Sequence, residues 1–155
     1  MGCWPGGWLQ VASEVIGPKG RVVGVDLAEM EPLDSIANAF AFTGDFTEAS
    51  VIEKILENLG GPADVLLSDA HPKVTGVRAV DRAKGEALLE AIEAALPGLL
   101  LPGGSLLFKL FECPEAKAVE DRLRKQFAKC KRLSPQASRK GSSEMYFYAH
   151  NYKGA

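Results

Sequence analysis

Arg21-Val22-Val23-Gly24-Val25-Asp26 is the stretch on which the fold of this chain turns. Three valines and a glycine, preceded by the turn Gly17-Pro18-Lys19-Gly20 and closed by a carboxylate, predict a buried strand. The pattern recurs outward from there. Asp64–Ser68 (DVLLS) and Ser105–Phe111 read as further strands, and Ala39–Thr43 as a weaker one. Ser50-Val51-Ile52-Glu53 matches a capping box, so a helix is expected with Val51, Ile52, Ile55, Leu56 and Leu59 on its apolar face and Gly60-Gly61 as its stop. A long helical stretch from Asp81 to Leu96 is expected to end or kink at Pro97-Gly98, and Pro102-Gly103-Gly104 reads as a turn. A helix fits Glu115–Phe127, short strands fit Lys129–Leu133 and Glu144–His150, and polar Ser134–Ser143 reads as a loop. Strands separated by helices of this length imply parallel βαβ units in an open α/β sheet, where ligands sit at the carboxyl ends of the strands.

The length of 155 residues sets a single domain over 1–155 as the expectation. A composition of 46% hydrophobic and 25% charged residues excludes disordered and fibrous classes. The longest apolar runs, Leu99–Leu101 and Leu106–Phe108, are far below the roughly 20 residues of a membrane helix. The start, MGCWPGGWLQ, lacks the basic head and apolar stretch of a signal peptide. Cys3, Cys113 and Cys130 are scattered and form no CxxC pair, which points to a reducing cytoplasm, and isolated His71 and His150 give no metal site. The net charge of −2 hides an asymmetry: residues 1–100 carry 7 basic against 15 acidic side chains, residues 101–155 carry 11 against 5. A basic final third is compatible with a phosphate-facing surface.

Four groups of residues can carry chemistry. The glycine turn Gly2-Cys3-Trp4-Pro5-Gly6-Gly7-Trp8 leads into a helix through about Ile16, and glycines before a helix let backbone N–H groups approach a carboxylate or phosphate. The dinucleotide fingerprint GxGxxG is absent, so the turn alone is equally a structural one. Asp26, Asp45 and Asp69 each follow a strand or its turn, where a carboxylate accepts bonds from ribose hydroxyls, although Asp also closes strands with no ligand in view. Lys109 interrupts the apolar run Leu106–Phe111, and a buried ammonium needs a carboxylate, of which Glu144 is one candidate, or a route to water along its own stem. Arg122, Arg124, Lys125, Lys129, Lys131 and Arg132, with Arg139 and Lys140 beyond, read either as a solvated face or as a contact for an RNA backbone. Trp4 and Trp8 pack in the core or wall a ligand pocket.

Taken in order, Gly2-x-x-Pro5-Gly6-Gly7-Trp8, the Asp26 strand, Gly44-Asp45-Phe46, Ser68-Asp69-x-x-Pro72, Pro102-Gly103-Gly104-Ser105, Lys109-Leu110-Phe111 and Ser142-Ser143-Glu144 resemble the FtsJ-like ribosomal RNA 2′-O-ribose methyltransferases along nearly the whole chain. The resemblance implies a Rossmann-like fold that binds S-adenosylmethionine and methylates a ribose 2′-hydroxyl of RNA, with ribosomal RNA or a ribosomal subunit as partner. By that similarity Gly6 and Trp8 flank the methionine part of the cofactor, Asp26 holds the ribose, Asp45 reaches the adenine amino group and Asp69 lies beside the sulfonium. Lys109 is then the central catalytic residue, with Asp69 and Glu144 completing its surroundings. Two departures accompany the match. Pro72-Lys73 stands where the family usually shows Pro-Asn, and the sequence begins where the family's first strand should be ending. The expectation is therefore a sheet lacking that strand and an upstream lysine, with residues Gly2–Trp4 and neighbouring strands closing the gap or a longer biological chain restoring it. A cofactor- or RNA-binding module without catalysis, and a methyltransferase for small molecules, are the competing readings.

Overall fold

The computed structural model describes all residues except 31, 32, 34, 35, 74, 111–113, 135–144 and 155, and only the backbone of 114 and 115. Its elements alternate as the sequence predicts: α1 (Gly7–Ile16), β1 (Val22–Asp26), β2 (Ala39–Thr43), α2 (Ala49–Leu59), β3 (Ala63–Ser68), α3 (Arg78–Leu99), β4 (Leu100–Leu110), α4 (Pro114–Gln126), β5 (Phe127–Leu133) and β6 (Met145–Tyr152). The strands form a parallel pair β1–β2 and a four-stranded sheet in the order β3-β4-β6-β5, in which β6 runs antiparallel to β4 and β5 because no helix among the described residues separates β5 from β6, a departure from the expected parallel units. Two compact units result, one of Met1–Pro62 with Ser68–Ala70, the other of Ala63–Leu67 with His71–Ala155.

In the first unit β1 buries Gly24 and Val25. Glycine at position 24 has a steric cause, because a Cβ there would lie 2.7 Å from Leu9 of α1 and 2.8 Å from Cys3 Sγ. Helix α1 buries Leu9, and α2 buries Val51 and Ile55 and stops at Gly60, as expected. The expected capping box is not used. Helix α2 starts at Ala49 with Glu48 as its N-cap and no side-chain cap. Its entry is set instead by the preceding turn, in which the Thr47 amide donates to Asp45 Oδ1 at 2.9 Å and the Glu48 amide to the Asp45 carbonyl at 3.0 Å.

In the second unit Leu106, Phe108 and Leu110 of β4 and Phe147 and Ala149 of β6 are buried on one face of the sheet, with Val119 and Leu123 of α4 and Leu89, Ile92, Leu96 and Leu99 of α3 also in the core. The β4–β6 register pairs Phe108 with Phe147, whose rings lie 5.4 Å apart. Two boundaries differ here from the sequence expectation. Helix α3 runs through Pro97 to Leu99 rather than ending at Leu96, because its buried stripe continues to Leu99. Burying a leucine stabilises by about 1.5–3 kcal/mol, comparable to the roughly 3 kcal/mol cost of an internal proline. Strand β4 starts at Leu100, so the expected turn at Pro102–Gly104 is absorbed into it; residues 101–103 are exposed, and such a strand tolerates a proline there. Among the described residues no helix is long and apolar enough to cross a membrane, and no cluster of His, Cys, Asp and Glu could hold a metal ion.

Candidate functional site

Five of the residues singled out from the sequence, Gly6, Trp8, Asp26, Asp45 and Asp69, belong to the first unit. Asp26 closes β1, and its carboxylate is held from two sides: the Trp4 amide donates to Oδ2 at 2.8 Å and the Ala28 amide to Oδ1 at 2.8 Å. Two short charge-assisted bonds fix the orientation of the carboxylate and leave lone pairs on both oxygens for further donors. The Asp26 carbonyl accepts the Gly44 amide at 2.8 Å, which brings Asp45 to the neighbouring strand end. Asp45 uses only Oδ1 in its own turn, accepting from the Thr47 amide and hydroxyl at 2.9 and 2.7 Å. Thr43 ties down the loop after Asp26 by accepting the Met30 amide at 3.2 Å and donating to the Ala28 carbonyl at 3.3 Å.

The amino-terminal residues bridge the two outer carboxylates. The Gly2 amide donates to the Val25 carbonyl at 2.9 Å and the Asp69 amide to the Met1 carbonyl at 3.2 Å. Gly2 has φ of +67°, and a Cβ on it would come within 2.5 Å of the Ala70 backbone, so only glycine lets the two segments meet. Beyond this turn Gly6 is the N-cap of α1, with no side-chain cap and no acidic residue in the first turn. A Cβ on Gly7 would meet nothing within 4 Å. The positive end of α1 follows the same loop that grips Asp26, with Gly7 exposed and Gly6 buried beside Leu33, and a helix N-terminus of this kind suits an anionic group. Cys3 lies beneath, buried, with Sγ 3.7 Å from Met30 Sδ; burial pushes its thiol pKa up, which keeps it protonated and unreactive at neutral pH.

The residue chemistry of this arrangement fits S-adenosylmethionine in charge: a helix N-terminus for the amino-acid carboxylate, an anchored carboxylate for a ribose diol, and acids for an amine and a sulfonium. The acids and the glycine turn were legible in the sequence as candidates. It did not identify the Trp4 amide, Thr43 or the Met1 carbonyl as their supports, because these contacts join residues far apart in the chain. Gly2 in the glycine turn and Gly24 within an apolar strand were the local signals of close approach.

Lys109 belongs to the second unit. It lies on β4 between buried Phe108 and Leu110, half-buried, opposite Tyr146 of β6. Glu144 lies outside the described residues, as do Arg139 and Lys140. Of the basic segment, three arginines bind within the protein. Arg122 pairs with Glu93 at 2.7 Å, which raises its pKa through that hydrogen bond, while Arg132 and Arg124 approach the buried carboxylate of Glu120 at 2.5 and 3.6 Å. Lys125, Lys129 and Lys131 keep exposed side chains.

The family model of the FtsJ-like methyltransferases matches residues 1–152. The chain is 39% identical over 153 residues to a protein of Methanobrevibacter smithii and 41% over 154 to one of Methanothermobacter thermautotrophicus, each match covering 99% of this chain and 72% of the relative. A Pseudomonas aeruginosa protein is 38% identical over 155 residues, covering 99% and 73%. All three bear the name ribosomal RNA large subunit methyltransferase E. A crystal structure from Plasmodium falciparum, described as a ribosomal RNA methyltransferase, superposes with a TM-score of 0.84 at 24% identity over 99% of this chain and 85% of that one, a likeness of fold. The α/β architecture with its Rossmann-like relatives, the carboxylates at the strand ends and the match over nearly the full length converge: the chain belongs to the FtsJ-like methyltransferase family.

Proposed function

We propose that this protein transfers the methyl group of S-adenosylmethionine to a ribose 2′-hydroxyl of large-subunit ribosomal RNA, in the cytoplasm, with residues 1–155 working as one methyltransferase domain. The observation that carries the cofactor half of this reading is the Asp26 carboxylate gripped by two backbone amides, on a loop that leads to the N-terminus of α1, which no side chain caps. The RNA half is supported by the names of the relatives, at about 40% identity over nearly the whole chain. The unbroken match of the family model over residues 1–152 supports the single domain.

S-adenosylmethionine supplies an electrophilic methyl group on a sulfonium, which leaves as a neutral thioether. The protein's part is orientation and proton handling. Gly6, Trp8 and the first turn of α1 hold the methionine end, Asp26 the ribose, Asp45 the adenine amine, and Asp69 balances the sulfonium charge. Lys109 acts on the 2′-hydroxyl, either taking its proton as a neutral amine or orienting its oxygen as an ammonium, with the carboxylates of Asp69 and Glu144 as the other catalytic groups, which favour the charged amine. A pH–rate profile separates the two roles, since a base requires the deprotonated amine and an orienting cation the protonated one.

The test is transfer of radiolabelled methyl from S-adenosylmethionine to unmethylated large ribosomal subunits, to free ribosomal RNA and to small metabolites. Label in RNA, recovered as a 2′-O-methylated nucleotide resistant to alkaline cleavage, is the expected result. Cofactor binding without transfer to any acceptor overturns the enzymatic reading, and transfer to metabolites alone overturns the RNA reading.

A further inference from the structure

We propose that the indole of Trp4 walls the cofactor site and lies against the adenosine portion of S-adenosylmethionine, a residue-level addition that rests on the cofactor reading above. Trp4 is 59% exposed, a large apolar side chain left in water. Single exposed hydrophobic residues are ordinary, so exposure alone decides nothing. What sets Trp4 apart is its backbone. Its amide donates to Asp26 Oδ2, the carboxylate assigned to the ribose, at 2.8 Å. An indole attached at that point is tethered by its own backbone beside the carboxylate.

Asp26 itself is followed by a second exposed apolar residue, Leu27, 75% exposed, and the next amide, that of Ala28, holds Asp26 Oδ1. Each of the two segments gripping this carboxylate therefore presents a large apolar side chain to solvent. Among the described residues the indole of Trp4 makes no ring or cation contact. Its backbone is nonetheless fixed: the Gly2 amide bonds Val25, the Cys3 side chain is buried, and the Gly6 carbonyl accepts the Gln10 amide at 3.0 Å. An aromatic side chain on a backbone already ordered loses little further freedom when a flat ligand covers it, and base–aromatic stacking tolerates any orientation of the base edge.

Removing such a stacking partner weakens binding by roughly 5- to 100-fold. Calorimetric titration of wild type, Trp4→Ala and Trp4→Phe with S-adenosylmethionine and S-adenosylhomocysteine tests the assignment. Trp4→Ala should lose affinity in that range for both ligands by the same factor, since they share the adenosine, while Trp4→Phe, which keeps a ring, stays within about threefold. A loss confined to S-adenosylmethionine would place the indole at the sulfonium and overturn the adenosine assignment. A second measurement does not depend on Trp4→Ala folding. The chain has two tryptophans, and the exposed one should be open to acrylamide quenching; saturating S-adenosylhomocysteine should protect the component that Trp4→Phe removes. Unchanged quenching with bound ligand, or Trp4→Ala binding within twofold of wild type, overturns the proposal while leaving the cofactor site standing. Absence of binding by folded wild-type protein overturns both.

Discussion

At the scale of single residues, Asp26 and Lys109 carry opposite expectations. A charge-assisted hydrogen bond contributes roughly 1.5–3 kcal/mol, so Asp26→Ala should weaken S-adenosylmethionine binding about ten- to a hundredfold by calorimetry. The same change frees the Trp4 and Ala28 amides, which donate to that carboxylate. Lys109→Ala should abolish methyl transfer to RNA while the dissociation constant for the cofactor stays within about threefold, because Lys109 is assigned to the 2′-hydroxyl and not to the cofactor. Normal turnover by that variant would return Lys109 to the lysines that reach water along their stems.

At the scale of elements, the start of α3 and the α4–β5 junction each depend on one carboxylate. Asp81 Oδ1 accepts the Thr75 amide and hydroxyl at 2.6 and 2.7 Å, and Oδ2 accepts the Gly76 amide at 3.1 Å. These bonds, Thr75 first, hold the Asp81 pKa below the ordinary 3.8. A carboxylate whose folded pKa is lowered binds fewer protons folded than unfolded, so its contribution is complete above the ordinary value and lost as pH falls through the lowered one. The Thr75 and Gly76 amide resonances should therefore shift together below about pH 4, and Asp81→Asn should remove that step. Glu120 of α4 is buried and held by Arg132 and Arg124, both about half exposed. Glu120→Ala should cost about 1–3 kcal/mol in urea unfolding, less than a fully buried pair because the arginines regain water.

At the scale of the whole molecule, the basic final third serves two ends. Arg122, Arg124 and Arg132 are committed to Glu93 and Glu120, whereas Lys125, Lys129 and Lys131 keep exposed side chains, which on the proposed function meet the RNA backbone. RNA affinity should fall about tenfold or more between 50 and 200 mM salt, as counterion release requires for several phosphate contacts. Replacing Lys125, Lys129 and Lys131 together by alanine should weaken RNA binding and flatten that dependence in filter-binding titrations, whereas Arg122→Ala should leave both unchanged. An equal effect of the two variants would show that charge alone, and not its placement, sets the contact.

The sequence by itself determined the alternation of strands and helices, the acids at the strand ends, and the motif order that identifies the family. These are local properties: an apolar run closed by Asp26, a helix face through Val51 and Ile55, and a glycine stop at Gly60 are each read within a few residues. Where local rules met tertiary burial they failed. Pro97 signals a stop that the buried stripe from Leu89 to Leu99 overrides, and the capping box at Ser50 gives way to the turn built by Asp45. Only the tertiary structure decided that the Trp4 amide holds Asp26, that the Met1 carbonyl takes the Asp69 amide, and that Glu120 is a buried anchor rather than part of a solvated helix face. The physical reason is that such bonds form between groups brought together by packing, and a hydrogen-bonding backbone atom looks the same in every sequence until the fold selects its partner.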